Sequence, residues 1–114
     1  MRSMLTDRGS ATIFAVIGLA LVLFAGSAVA AICGLVVAHR HAQSAADLAA
    51  IAGAEAVGTS RDPCAAAGSV AAWNAATVEA CEVTAGVVTL TVTVPGPALI
   101  GSVIRPRAVA RAGR

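Results

Sequence analysis

Charged, amide and imidazole side chains are absent from Ala11 to Ala38. These twenty-eight consecutive residues are bracketed by Asp7 and Arg8 before and by His39, Arg40 and His41 after. At 1.5 Å per residue a helix of this length is about 42 Å long, more than the roughly 30 Å hydrocarbon thickness of a bilayer. A chain of 114 residues cannot wrap such a helix on all sides, so the pattern predicts a transmembrane helix. Helical character continues beyond it: His39 to Val57 is alanine-rich, lacks proline and disperses its polar residues. One helix is therefore expected from about Ser10 to Val57, closed by Gly58 in a left-handed cap. Every fourth residue in it is small, from Gly26 through Ala30, Gly34, Ala38, Ala42, Ala46, Ala50 and Ala54 to Gly58. Such a row admits the backbone of another helix, and close packing drives helix association in lipid. An alanine-rich helix also produces small rows by chance.

The pattern changes after Gly58. Asp62-Pro63 predicts the cap and first turn of a second helix reaching about Asn74, where asparagine can take the left-handed conformation that stops it. Val78 to Thr84 and Val87 to Val94 predict a hairpin around Ala85-Gly86, the second arm alternating from Thr89 to Val94. With a two-residue turn, Cys81 falls opposite Leu90 and Val83 opposite Val88, on an apolar face that the second helix has to cover. Pro95, Gly96 and Pro97 end the sheet, and Arg107 to Ala112 is a candidate third strand. The expected fold is α+β and membrane-anchored. It has a leader over 1–9, a long transmembrane and assembly helix over 10–58, and a head over 59–114 with one short helix packed on a two- to three-stranded antiparallel sheet.

Composition supports the membrane reading. The chain is 58% hydrophobic and 12% charged, against about 25% charged in soluble domains, and its mean hydropathy is +0.84. Net charge is only +2 and the aromatics are Phe14, Phe24 and Trp73, so no nucleic-acid partner is expected. Arg105, Arg107, Arg111 and Arg114 read as a solvated tail or an edge strand. Cys33 lies in the apolar run as a small hydrophobe. Cys64 and Cys81 lie in the polar part, and outside the cytoplasm they are expected to form a disulfide that contributes about 3 kcal/mol. The hairpin register supports this by pointing Cys81 at the element that carries Cys64.

Catalytic chemistry is not expected. Two cysteines without nearby histidines make a poor metal site. His39 and His41, two apart on a helix, diverge by about 200 degrees and read as interface anchors. Asp47, Glu55, Asp62, Glu79 and Glu82 form no inward pair identifiable by spacing, and Glu79 and Glu82 have no basic residue at a matching position. There is no phosphate loop or nucleophile elbow. The reading is non-enzymatic, without metal or cofactor.

Arg2, Arg8 and the terminal amine outweigh Arg40 beside the span, which predicts a single pass with a cytoplasmic start and an extracytoplasmic head. Processing stays open at this point. An ordinary secretory signal with its A-x-A site at Ala28, Val29 and Ala30 would release a secreted effector or binding protein beginning at Ala31. Lipidation at Cys33 is disfavoured by the bulky Ile32 before it.

A leader ending in Arg8-Gly9, then SATIFAVIGLALVLF, HRHAQSAADLAAIAGA, DPC, AAWNAA and a cysteine-bearing strand resembles the TadE-like proteins. More specifically it resembles the short ones of actinobacterial tight-adherence (Tad) pilus clusters. The resemblance implies a pilin-like or pseudopilin-like minor subunit or assembly component of a Tad, type IV pilus-like or type II secretion-like system at the cell membrane. Its partners would be the membrane, other Tad components and a prepilin peptidase cutting between Gly9 and Ser10. Self-association would run through the long helix along Gly26, Ala30, Gly34, Ala38, Ala42 and Ala46. Pilin-type substrates usually hold a glutamate at the fifth residue after the cut, where this chain has Phe14. The implied protein is then either a minor or initiating subunit that does without this carboxylate, or an uncut single-pass membrane protein. The head would be surface-exposed in the first case, or secreted under the signal-peptide alternative.

Overall fold

The computed structural model describes residues 2–97 and 104–113, with side chains from Gly9 onward. In chain order it contains α1 (Arg2–Gly58), α2 (Pro63–Trp73), β1 (Thr77–Thr84), β2 (Val87–Thr93) and β3 (Arg107–Gly113). The strands form one antiparallel sheet in the order β1-β2-β3. Residues 1–33 and 34–114 are two compact units. In the first, the described side chains of α1 from Gly9 to Cys33 are all exposed. The second holds the rest of α1, α2 and the sheet.

The head was expected to begin at residue 59, but its core begins on α1. Ala42, Ala45, Ala46, Ala49 and Ala50 follow the three- and four-residue steps of one helix face. They are buried with Ala67 and Ala71 of α2, Val88, Leu90 and Val92 of β2, and Ala108 and Ala110 of β3. The largest fully buried side chains are Leu90, Val88 and Val92, all on β2. Central position in the sheet and period-two alternation put them there. Small side chains on both helices leave room for this row. At Gly53 the approach is so close that a Cβ would lie 3.0 Å from Val88 Cγ1 and 3.2 Å from the Pro63 carbonyl oxygen.

The hairpin has the expected register, with Cys81 opposite Leu90 and Val83 opposite Val88. Ala85 and Gly86 turn it with positive φ at both positions, +51° and +77°, the geometry that matches the twist of adjoining strands. A bulge between Val78 and Ala80 shifts the pairing at the start of β1. Val83 shares the inner face but is exposed at its hairpin end. The third strand forms as expected, and Val94 N–H extends the β2–β3 pairing by donating to Pro106 O at 3.0 Å.

Helix ends depart from expectation in an informative way. Gly58 is still helical, and the left-handed residue is Ser60 (φ 57°). Around it Arg61 N–H reaches Ala56 O and Ser60 N–H reaches Val57 O, the paired bonds of a Schellman motif. Asn74 likewise stays at φ −101°. Ala75 (φ 54°) takes the left-handed position, with Ala76 N–H on Ala71 O and Ala75 N–H on Ala72 O. Asn74 is held instead by its side chain, which donates from Nδ2 to Val70 O at 2.9 Å. At the other end of α2, Asp62 caps Cys64 and Ala65 N–H as expected.

Candidate assembly surface

Over Gly9–Cys33 the exposed side chains are apolar apart from the hydroxyls of Ser10, Thr12 and Ser27; Ile13, Phe14, Leu19, Leu23 and Phe24 are each at least 60% exposed. A span within Gly9–Gly58 is, among the described residues, the candidate for crossing a membrane by length and composition.

The small-residue row is divided by the fold. Gly26 and Ala30 are exposed, and a Cβ at Gly26 would meet nothing within 4 Å. Gly34 faces the Pro97 ring, 3.6 Å from where its Cβ would be, and Ala38 is half-buried. Ala42, Ala46, Ala50 and Ala54 are buried. From Ala42 to Ala50 the stripe therefore belongs to the chain's own core, while Gly26 and Ala30 stay open.

Cys64 and Cys81 form the disulfide, Cα atoms 5.9 Å apart, tying α2 to the exposed edge strand β1. Cys33 is a free, exposed thiol. Gly9 and Ser10, the implied processing site, are exposed residues within α1, and Phe14 is 72% exposed. The side chains of residues 2–8 of the expected leader, and Arg114 of the basic end, lie outside the described residues.

Two contacts were not legible in the sequence. His41 donates from Nε2–H to Asn74 O at 2.8 Å, joining α1 to the end of α2. Glu79, expected to be solvated alone, pairs with Arg107 at 3.0 Å. The bulge puts Glu79 out of the regular alternation, so spacing along the strand could not bring the two together. Beside β3, Gln43 Nε2 donates to Asp47 Oδ1 and to Val109 O. A groove of about 920 Å³ runs there along α1, with Leu35, Val36 and Ile104 at one end and Asp47 and Leu48 at the other. Among the described residues, no three His, Cys, Asp or Glu side chains gather in a metal-binding arrangement.

The family model described as putative Flp pilus-assembly TadE/G-like matches residues 9–56. Over that segment the chain is similar to the TadE/G-like family. The match takes in the uncovered apolar stretch and the alanine face that seats the sheet, and stops before α2 and the strands. Comparison with curated proteins and with solved structures finds no match. The matched segment lies wholly within α1.

Proposed function

We infer that this TadE-like chain is a non-enzymatic, membrane-anchored, pilin-like minor component of a Tad pilus or related secretion assembly. The observation that carries the reading is an α1 that exposes a long, predominantly apolar surface over Gly9–Cys33 while residues from Ala42 to Ala50 are occupied by the head's own core. Such a surface is stable only in lipid or against other helices. In this reading the head faces outward, the start is cytoplasmic, and the helix is stored in the bilayer until it packs against other Tad components or a second copy. Prepilin peptidase is the proposed partner at Gly9-Ser10.

The test is co-purification of the full chain with Tad components from membranes. Gly34 and Ala38 lie against or within the head, so the informative variants are Gly26→Leu and Ala30→Leu, at exposed positions of the row. Both are expected to weaken recovery of the complex while the chain remains in the membrane. An undiminished complex overturns the packing role.

A second reading is favoured by one observation. The folded unit begins at Gly34, so signal-peptide cleavage after Ala30 would release it whole as a secreted binding protein. Mass spectrometry of the mature amino terminus decides between them. A Met1 or Ser10 start accords with the first reading and an Ala31 start with the second.

A further inference from the structure

We propose that the base of the head, built from three chain segments around the end of the apolar stretch, is a docking surface for anionic phospholipid headgroups, with Trp73 as its interfacial anchor. This rests on the membrane-anchored reading of α1.

The sequence places the end of the apolar stretch at Ala38, and the fold gathers other segments to that level. Asn74 O is 2.8 Å from His41 Nε2, so Trp73, its neighbour in the chain, ends α2 within a turn of where lipid-compatible sequence stops. Pro97 packs 3.6 Å from the Cβ position of Gly34. Ile104 and Pro106 line the groove with Leu35, Val36 and His39. These contacts set one end of the sheet, where β2 ends and β1 and β3 begin, beside residues 34–41. Gly53 and Val88 mark the opposite end, about 18 Å further along α1 from His41.

What this base exposes is characteristic of a membrane–water interface. Trp73 is 84% exposed, a large cost in water for the one tryptophan in the chain. Its amphipathic ring suits the headgroup layer. Val37 and Ile104 add exposed apolar surface. Arg40 and Arg105 are exposed, and among the described residues neither makes an ion pair. The one acidic side chain at this end of the sheet, Glu79, is neutralised by Arg107. Asp47, two turns beyond Arg40, is turned toward Gln43. The base therefore carries uncompensated positive charge beside apolar and aromatic surface, which is complementary to anionic headgroups over acyl chains.

The test uses the full chain in vesicles of phosphatidylcholine with and without phosphatidylglycerol. As sole tryptophan, Trp73 reports by its own fluorescence. An environment-sensitive dye on Cys33, the free thiol, reports on α1 in a parallel sample. Trp73 is expected to be shielded from acrylamide and quenched more by lipids brominated near the headgroup than by deep-brominated ones. On anionic vesicles Arg40→Gln and Arg105→Gln should each lower the ratio of shielded to open Trp73 about fivefold, with no change on neutral vesicles. If the Cys33 dye is in lipid while Trp73 is fully open to acrylamide, the docking surface is overturned and the anchor stands. If both probes are in water, the anchor reading itself fails. Equal shielding on the two vesicle types overturns the choice of anionic headgroups.

Discussion

Gly53 lies where α1 packs closely against both the sheet and α2. A Cβ there would sit 3.0 and 3.5 Å from the two methyl groups of Val88 and 3.2 Å from the Pro63 carbonyl oxygen. Val88 is fully buried and stiff at χ1, while the Pro63 carbonyl belongs to the first turn of α2, so neither yields easily. Gly53→Leu drives three further carbons into this contact, an overpacking that costs about 1–3 kcal/mol. Replacing a glycine inside a helix returns roughly 0.5–1 kcal/mol. The net expectation is a loss of about 1–2 kcal/mol in head stability. Gly26→Leu is the matched control, with the same gain in helix propensity and no contact to crowd. The assay is urea unfolding of the full chain in detergent micelles, read by trypsin cleavage at Arg107 and Arg111, which β3 protects while paired. Adding Val88→Ala opens space beside the new leucine, so the double variant should be more stable than the two single losses summed, by about 0.5 kcal/mol or more. A Gly53→Leu variant as stable as the parent, or strict additivity with Val88→Ala, refutes this account of helix–sheet packing.

Breaking the Cys64–Cys81 bridge with Cys64→Ser or Cys81→Ser should lower head stability by about 3 kcal/mol in the same assay. In the parent, alkylation without reductant should label Cys33 alone, and labelling of all three cysteines would remove the disulfide from the account. At the hairpin, Ala85 holds φ +51°, a conformation that an alanine adopts only at a cost of about 1–2 kcal/mol. Ala85→Asn supplies the favoured first residue of such a turn and should raise stability by about 0.5–1 kcal/mol, visible as a higher urea midpoint; a lowered midpoint would show that the turn is set by something other than its own residues.

Much of the fold was legible because its signals are local. Alternation from Thr89 to Val94 and a two-residue turn left one register that put Val88, Leu90 and Val92 on the same face, and that register carried Cys81 to the disulfide. Proline at the first turn of α2 and Asp62 before it marked the start of that helix. The stops were harder to read. Gly58 and Asn74 were the residues that tolerate positive φ best, yet Ser60 and Ala75 adopt it. Where each helix releases its last carbonyls depends on where the chain must go next, and the modest local strain is outweighed by the closing hydrogen bonds of the two Schellman motifs.

The division of α1 was hidden for a different reason. An alanine every fourth residue gives the same pattern whether the face meets another helix in lipid or a sheet of the same chain, because both partners ask only for small side chains. What separates the two is the partner available, and that is non-local: the three large side chains of β2 need a flat, close surface, and the alanines from Ala42 to Ala50 supply it. Once they do, those residues are no longer free for association. Any helix that joins this chain along the small-residue row is therefore confined to the part that includes Gly26 and Ala30. A substitution that adds bulk there should alter assembly without touching the head, and one that adds bulk after Ala42 should alter the head first.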